Sequence, residues 1–252
     1  MSVFLSDVSW SACMIEIINL TKVYSKGSEP AIEHVSLSVK DGEILGFAGL
    51  NGAGKTTTIR IASGLIYPTR GTVRVDGKDI VKEKALASFT LGMVPEFPNF
   101  ELNAKPISLL VYYSGFFNIG NEDAHKKAIN LMELVGLSGE TDKKLRDYSQ
   151  GMKKRFSLAA SMMHRPHNYL FDELLNGMDP EGIRLIRKIA ADLKSERSAV
   201  LLSTHILSEL GNLADRVAII HKGHVRTIID KEELSGLPGK NLEEQFFKII
   251  GE

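Results

Sequence analysis

Cysteine is nearly absent from this 252-residue chain: Cys13 is the only one. One thiol allows no disulfide within the chain and no cysteine-based zinc site, and a cytosolic setting is its simplest fit. Excess charge of either sign is missing too, with 31 Lys and Arg against 31 Asp and Glu. Sequence-independent nucleic-acid binding needs a positive surplus, so no nucleic-acid partner is expected. No segment reaches the roughly 18 uninterrupted apolar residues of a membrane-spanning helix. The richest stretch, residues 107–120, is broken by Ser108, Ser114 and Gly115. Residues 1–13 carry no Lys or Arg ahead of their apolar part and do not read as a signal peptide. They are expected to be a disordered leader or extension, outside the single domain expected over 14–252. Internal repeats and low-complexity linkers are also missing. What remains is ordinary for a globular protein, 43% apolar and 25% charged.

Apolar periodicity divides the chain. Residues 14–24 and 32–39 alternate as pleated, half-buried strands, and Asp41-Gly42 is a hairpin-type turn. Residues 43–48 form a continuous apolar run, as in a strand buried on both faces. A Gly-rich loop then leads into a helix over about 55–63, and residues 72–80 read as a hairpin around Asp76-Gly77. After Pro98 the spacing turns helical. One amphipathic helix is predicted over 124–135, with Ile129, Leu131, Met132 and Val135 available to one face. A second, over 151–164, must end before Pro166. Strand signals return at 169–171, 199–203 and 216–221, around a helix at 181–193. Residues 231–252 read as a turn and a short amphipathic helix with Leu242, Phe246, Phe247 and Ile250. The expected fold is α/β, with a mixed-sheet core, an N-terminal antiparallel β subdomain and an α-helical subdomain inserted at about 97–165.

Gly49-Leu50-Asn51-Gly52-Ala53-Gly54-Lys55-Thr56 fits G-x-x-x-x-G-K-[ST] between a buried strand and a helix. Glycines let the backbone wrap a phosphate, so that successive N–H groups and the positive end of the helix dipole face the anion. Lys55 is expected to reach the β/γ-phosphates, the Thr56 hydroxyl to ligate Mg²⁺, and Thr57 to lie near the α-phosphate. The ligand of such a loop is a nucleoside triphosphate. Residues 169–173, YLFDE, are a short apolar strand ending in two carboxylates. Asp172 is the expected metal residue, acting through water. Glu173, one position on, suits a general base for the attacking water.

In their order along the chain these motifs resemble the nucleotide-binding subunits of ATP-binding cassette (ABC) transporters, over about 14–252. Tyr148-Ser149-Gln150-Gly151-Met152-Lys153-Lys154-Arg155 resembles the family signature, opening a helix about twenty residues before the acidic pair. The resemblance implies that Ser149 and Gly151 bind the γ-phosphate held by a second subunit; Ser149 also reads as an ordinary helix N-cap. Asn176-Gly177-Met178-Asp179 resembles the D-loop, implying a cross-dimer contact for Asp179, which is equally a good N-cap ahead of Pro180. His205, in LLSTHILSEL, matches the family's switch histidine, which contacts the γ-phosphate and steadies the catalytic glutamate. Tyr24, twenty-five residues before Gly49, stands where the family places an aromatic that stacks on adenine; on its own it reads equally as a half-buried strand-end tyrosine.

Three positions depart from the family pattern. Glu96 replaces the usual Q-loop glutamine, as in the drug-exporter-like branch. A carboxylate there can still approach Mg²⁺ and take a proton from water, but cannot donate as an amide does. Leu174 replaces a proline, and Tyr148 a leucine. The resemblance implies a cytoplasmic, membrane-peripheral ATPase on the inner face of the cell membrane. It would use ATP and Mg²⁺, dimerise with itself or a sister subunit, and drive a separate integral-membrane permease, of export type. The main alternative is a soluble ABC ATPase acting on ribosomes or chromosomes; a second, resting on Leu174 and Glu96, is an inactive cassette that binds ATP and regulates.

Overall fold

The computed structural model describes residues 13–236 and 242–251; the leader expected over residues 1–13 lies almost wholly outside them. Among the described residues the strands form two sheets. The first is antiparallel in the order β2-β1-β4-β5, with β1 at Cys13–Lys22, β2 at Ile32–Lys40, β4 at Arg70–Val75 and β5 at Lys78–Asp79. Asp76 and Gly77 both have positive φ, as a two-residue hairpin turn requires.

The second sheet is mixed, in the order β10-β9-β3-β8-β7-β6. Its parallel strands are β3 (Ile44–Ala48), β6 (Leu91–Val94), β7 (Asn168–Asp172), β8 (Ala199–Thr204) and β9 (Arg216–His221). β10 (His224–Ile229) pairs antiparallel with β9 through a turn at Lys222 and Gly223, both at positive φ. Every residue of β3, β7 and β8 is buried, which explains why their sequences run apolar without alternation.

Because side chains alternate across a strand, this sheet divides two cores. Leu45, Phe47, Leu170, Leu201, Ala218 and Ile220 face the antiparallel sheet and helix α1 (Lys55–Ala62). Ile44, Val200, Leu202, Phe171 and Val217 face the other way. That second core takes in α3 (Pro106–Ser114), α4 (Asn121–Leu134), α5 (Gln150–Ser161), α6 (Pro180–Ser195) and α7 (Leu207–Leu213). The short α2 (Lys84–Phe89) precedes β6. Fully buried leucines such as Leu45 and Leu201 contribute about 1.5–3 kcal/mol each.

Three sequence readings are corrected. Ile129 is 48% exposed, because the buried stripe of α4 is Ala124, Ala128, Leu131 and Met132. The segment read as a turn after residue 231 begins with α8 (Lys231–Gly236), ahead of α9 (Leu242–Ile250). Strands β6 and β10 were not anticipated. Within α9, Leu242 and Phe246 are buried. No helix among the described residues is long and apolar enough to cross a membrane.

The parallel register aligns the strand ends. Ala48 sits opposite Thr204, and Asp172 opposite Ser203. The chain leaves β3, β7 and β8 at one edge of the sheet, carrying the Gly-rich loop, Glu173 and His205 respectively. That edge is where open parallel sheets bind ligands.

Candidate active site

The loop after β3 has its shape because two of its residues lack a Cβ. At Gly54, with φ 112°, a Cβ would lie 2.5 Å from Ile32 Cγ2 and 3.0 Å from the Ala31 carbonyl oxygen. At Gly49 it would lie 2.7 Å from the Ile220 carbonyl oxygen. The loop delivers the chain into α1, whose N-terminus has no side-chain cap. The N–H groups of its first turn therefore remain for an anion. Beside them lies a cavity of about 250 Å³, lined by Asn51, Gly52, Ala53, Gly54, Lys55, Thr56, Thr57, Glu96 and Glu173, with Ala31.

Lys55 is buried and folded back over its own loop. Its Nζ donates to the carbonyls of Gly49 (2.7 Å) and Leu50 (3.2 Å) and lies 3.1 Å from Glu173 Oε1. Thr56 Oγ1 donates to Asp172 Oδ1 at 3.2 Å, and Ser203 Oγ donates to the same oxygen at 2.8 Å. Burial holds the Asp172 carboxyl above its ordinary pKa, against the lowering effect of these two hydroxyls.

Glu173 is fixed from every side. Its φ is +48°, a left-handed conformation that costs a non-glycine residue roughly 1–2 kcal/mol. Its N–H bonds to Ser203 O and Oγ, both at 3.1 Å. Its carbonyl accepts from Lys154 Nζ at 2.5 Å, and its Oε2 lies 2.9 Å from His205 Nδ1. Oε1 is buried with no hydrogen bond of good geometry; the Lys55 ammonium is its companion. The next residue, Leu174, is fully buried, so the side chain in place of proline is core packing.

Tyr24 is 58% exposed, with its hydroxyl 3.3 Å from Thr57 Oγ1 and Lys22 Nζ 5.2 Å from the ring centroid. A ring face thus stands open near the start of α1. Ser149 and Asp179 are N-caps in this chain, accepting from Met152 N at 3.2 Å and Gly182 N at 2.8 Å. Neither of them, nor Gly151, lines the phosphate-loop cavity. Tyr148 is buried and donates to the Glu140 carbonyl, and burial pushes its phenol up to about 12.

A loop shaped for phosphate thus lies beside a strand-end carboxylate pair and a histidine just past the end of the adjoining strand. The ABC transporter family model matches residues 32–176, more than half of the chain. The chain belongs to the ABC transporter ATP-binding family. This ABC cassette is 38% identical to the bacitracin transport ATP-binding protein BcrA of Bacillus licheniformis, over 92% of this chain and 74% of that protein. It is 32% identical to the linearmycin resistance ATP-binding protein LnrL of Bacillus subtilis (strain 168), over 88% of this chain and 70% of that one. A solved ATP-binding subunit of an ABC transporter superposes with a TM-score of 0.84 at 25% identity, covering 94% of this chain and 99% of the other.

Sequence reasoning missed two residues of the cassette's site. Ser203 connects Asp172 to the Glu173 amide, and its signal was a hydroxyl at the end of an apolar strand. Lys154 holds the Glu173 carbonyl. Its signal was a lysine on the same helical stripe as the buried Ser157, Leu158 and Ser161.

Proposed function

We propose that this cassette binds ATP with Mg²⁺ at the phosphate loop and hydrolyses it in a dimer, with Glu173 as general base. The observation that carries this reading is the position of Glu173: one carboxylate oxygen on His205, the other on Lys55, beside the loop cavity. ATP would draw Lys55 Nζ off the Gly49 and Leu50 carbonyls onto its phosphates. Glu173 Oε1 is then released to take a proton from water as that water's oxygen bonds to the γ-phosphorus. The bond from the γ-phosphorus to the β,γ-bridging oxygen breaks, leaving ADP and phosphate. His205 holds Oε2, so the carboxylate keeps its aim. Glu96, on the cavity wall, adds a carboxylate facing the same space.

The Thr56 hydroxyl and the Asp172 carboxylate, 3.2 Å apart, are hard oxygen donors of the kind Mg²⁺ takes. Among the described residues no group of three His, Cys, Asp or Glu side chains is placed to hold a metal. Most of the ion's ligands would therefore be phosphate and water. Bound there, Mg²⁺ would neutralise charge developing on the phosphate oxygens.

Ser149 and Gly151 would serve the nucleotide of a second ATP-binding subunit, identical or sister. They stand off this chain's own cavity, and a Cβ at Gly151 would meet only Ser149 Oγ, at 4.0 Å. Nothing among the described residues needs that glycine to be bare. Tyr24 would stack on the adenine, and Asp179 would reach across the dimer while capping α6. The relatives named for bacitracin transport and linearmycin resistance favour coupling to an integral-membrane permease, export, and a place on the inner face of the membrane. They do not favour the ribosomal or chromosomal alternative. Glu173→Gln tests the reading: turnover should fall by roughly 10²–10⁴, while an ATP-bound dimer accumulates on gel filtration. Hydrolysis at the wild-type rate would remove Glu173 from the role of base.

A further inference from the structure

We infer that Lys154 is a positioning residue that ties the signature end of α5 to the general base of the same subunit. A nucleotide engaged by the signature in one composite site would thereby set the base in the other. This rests on the dimeric reading above.

Lys154 is only 6% exposed. Burying an ammonium is costly unless its donors are satisfied, and an apolar side chain would pack there without that cost. Among the described residues it makes no ion pair. Its Nζ donates instead to two carbonyls, of Glu173 (2.5 Å) and Asn176 (2.8 Å). The carboxylates of Glu173, Glu96 and Asp172 are near enough to favour its charge without touching it, though burial prevails and lowers its pKa.

Those two carbonyls are not arbitrary. Glu173 is the residue held at φ +48°, and its carbonyl also accepts from Asn176 N at 3.2 Å. Asn176 opens the segment that runs to Asp179. Lys154 therefore closes the turn that aims the base and anchors the start of the segment beyond it. At its own end, Lys154 lies five residues past the N-cap Ser149 and three past Gly151. A helix rises about 1.5 Å per residue and is stiff over so short a span. A displacement of the α5 N-terminus against a partner's phosphate is thus carried to Lys154 Nζ, and from there to the Glu173 backbone.

The test uses the full chain with Lys154→Met and Lys154→Arg. Methionine keeps the aliphatic stem and removes the donors; arginine keeps donors of similar reach. For Lys154→Met we expect ATP affinity of the monomer within about twofold of wild type. We expect kcat to fall about 10- to 100-fold, the size of effect that misplacing a reacting group by about 1 Å produces. The Hill coefficient for ATP, expected to exceed 1 in the wild type, should drop to 1. Lys154→Arg should recover much of both. A kcat and Hill coefficient of Lys154→Met equal to wild type would overturn the inference. So would a loss of monomer affinity matching the loss of rate, a non-cooperative wild type, or failure of both variants to fold by circular dichroism. Glu173→Gln is assayed alongside. If that variant hydrolyses ATP at the wild-type rate, the underlying assignment of the base has failed. If it is inactive while Lys154→Met is fully active and cooperative, only the role of Lys154 has failed.

Discussion

Lys55 Nζ lies 3.1 Å from Glu173 Oε1, with both side chains 5% exposed. In the proposed mechanism these are the cation that would meet the phosphates and the base that would meet the water, and here they are paired with one another. On that reading ATP binding and activation of the base would be one event, because the lysine cannot serve the phosphates and the carboxylate together. Glu173 would retain its contact with His205 after the exchange, losing a charge partner but not its orientation.

Lys55→Ala should weaken nucleotide binding and destabilise the free protein together. A charge-assisted contact is worth roughly 1.5–3 kcal/mol, so ATP affinity should fall at least about tenfold. The vacated Glu173 Oε1 would be buried without a counter-charge, at a cost of about 1–3 kcal/mol. Adding Glu173→Gln should recover part of that stability, because an amide is cheaper to bury than a carboxylate. Denaturant titration of the two single variants and the double variant measures the coupling. Strict additivity would mean that the pair carries no energy in the free protein.

Ser149→Arg separates a shared site from a self-contained one. Ser149 lies off its own phosphate-loop cavity, so monomeric ATP binding should survive. The lost N-cap costs about 1 kcal/mol, which a melting curve would register. In a dimer the arginine would occupy the space where the partner's γ-phosphate docks, and close-packed contacts tolerate little added volume. Hydrolysis and the ATP-dependent dimer should both be lost. Some activity should return on mixing with excess Lys55→Ala subunits, because one mixed site is then intact. Full activity of Ser149→Arg alone would refute the shared site.

Much of the site was legible because its determinants are contiguous. The phosphate loop needs eight consecutive residues, and the acid pair is marked by an abrupt change from apolar strand to charge. The central strands were legible because burial on both faces leaves an apolar run without alternation in each. Ser203 and Lys154 were not, because their roles come from register and tertiary contact: Ser203 faces Asp172 across a parallel pair, and Lys154 reaches 22 residues to Asn176. Strand β6 is four residues long, and β10 is a half-buried edge strand carrying Arg226 and Thr227, so neither shows a clean period. Ile129 misled because it is apolar by type yet shares its helical face with the exposed Glu122, His125, Lys126 and Glu133.

Stability at mildly acid pH should depend on His164. Its ring stacks on Phe117 with centroids 3.9 Å apart and planes 6° apart, and Phe117 in turn meets Phe89 edge-on. Burial pushes the His164 pKa down to about 4, with the nearby Lys127 charge adding to the effect. A hydrogen bond with the Leu91 backbone works the other way, but among the described residues neither ring nitrogen has a hydrogen-bond partner of good geometry, so burial prevails. The folded protein therefore takes up this proton less readily than the unfolded chain, whose histidines titrate near 6.5. Stability from the neutral ring is fully present above pH 6.5 and is lost as pH falls toward 4. At about 1.4 kcal/mol per unit, the loss is at most about 3 kcal/mol. His164→Phe keeps a flat ring against Phe117 and removes the titration. Thermal melts of both proteins without nucleotide, between pH 7.5 and 4.5, measure the difference. The wild type should lose ground to the variant steadily below about pH 6.5. Parallel curves would mean that the ring is protonated in the fold as readily as in water, and that its stacked site exerts no pressure on the proton.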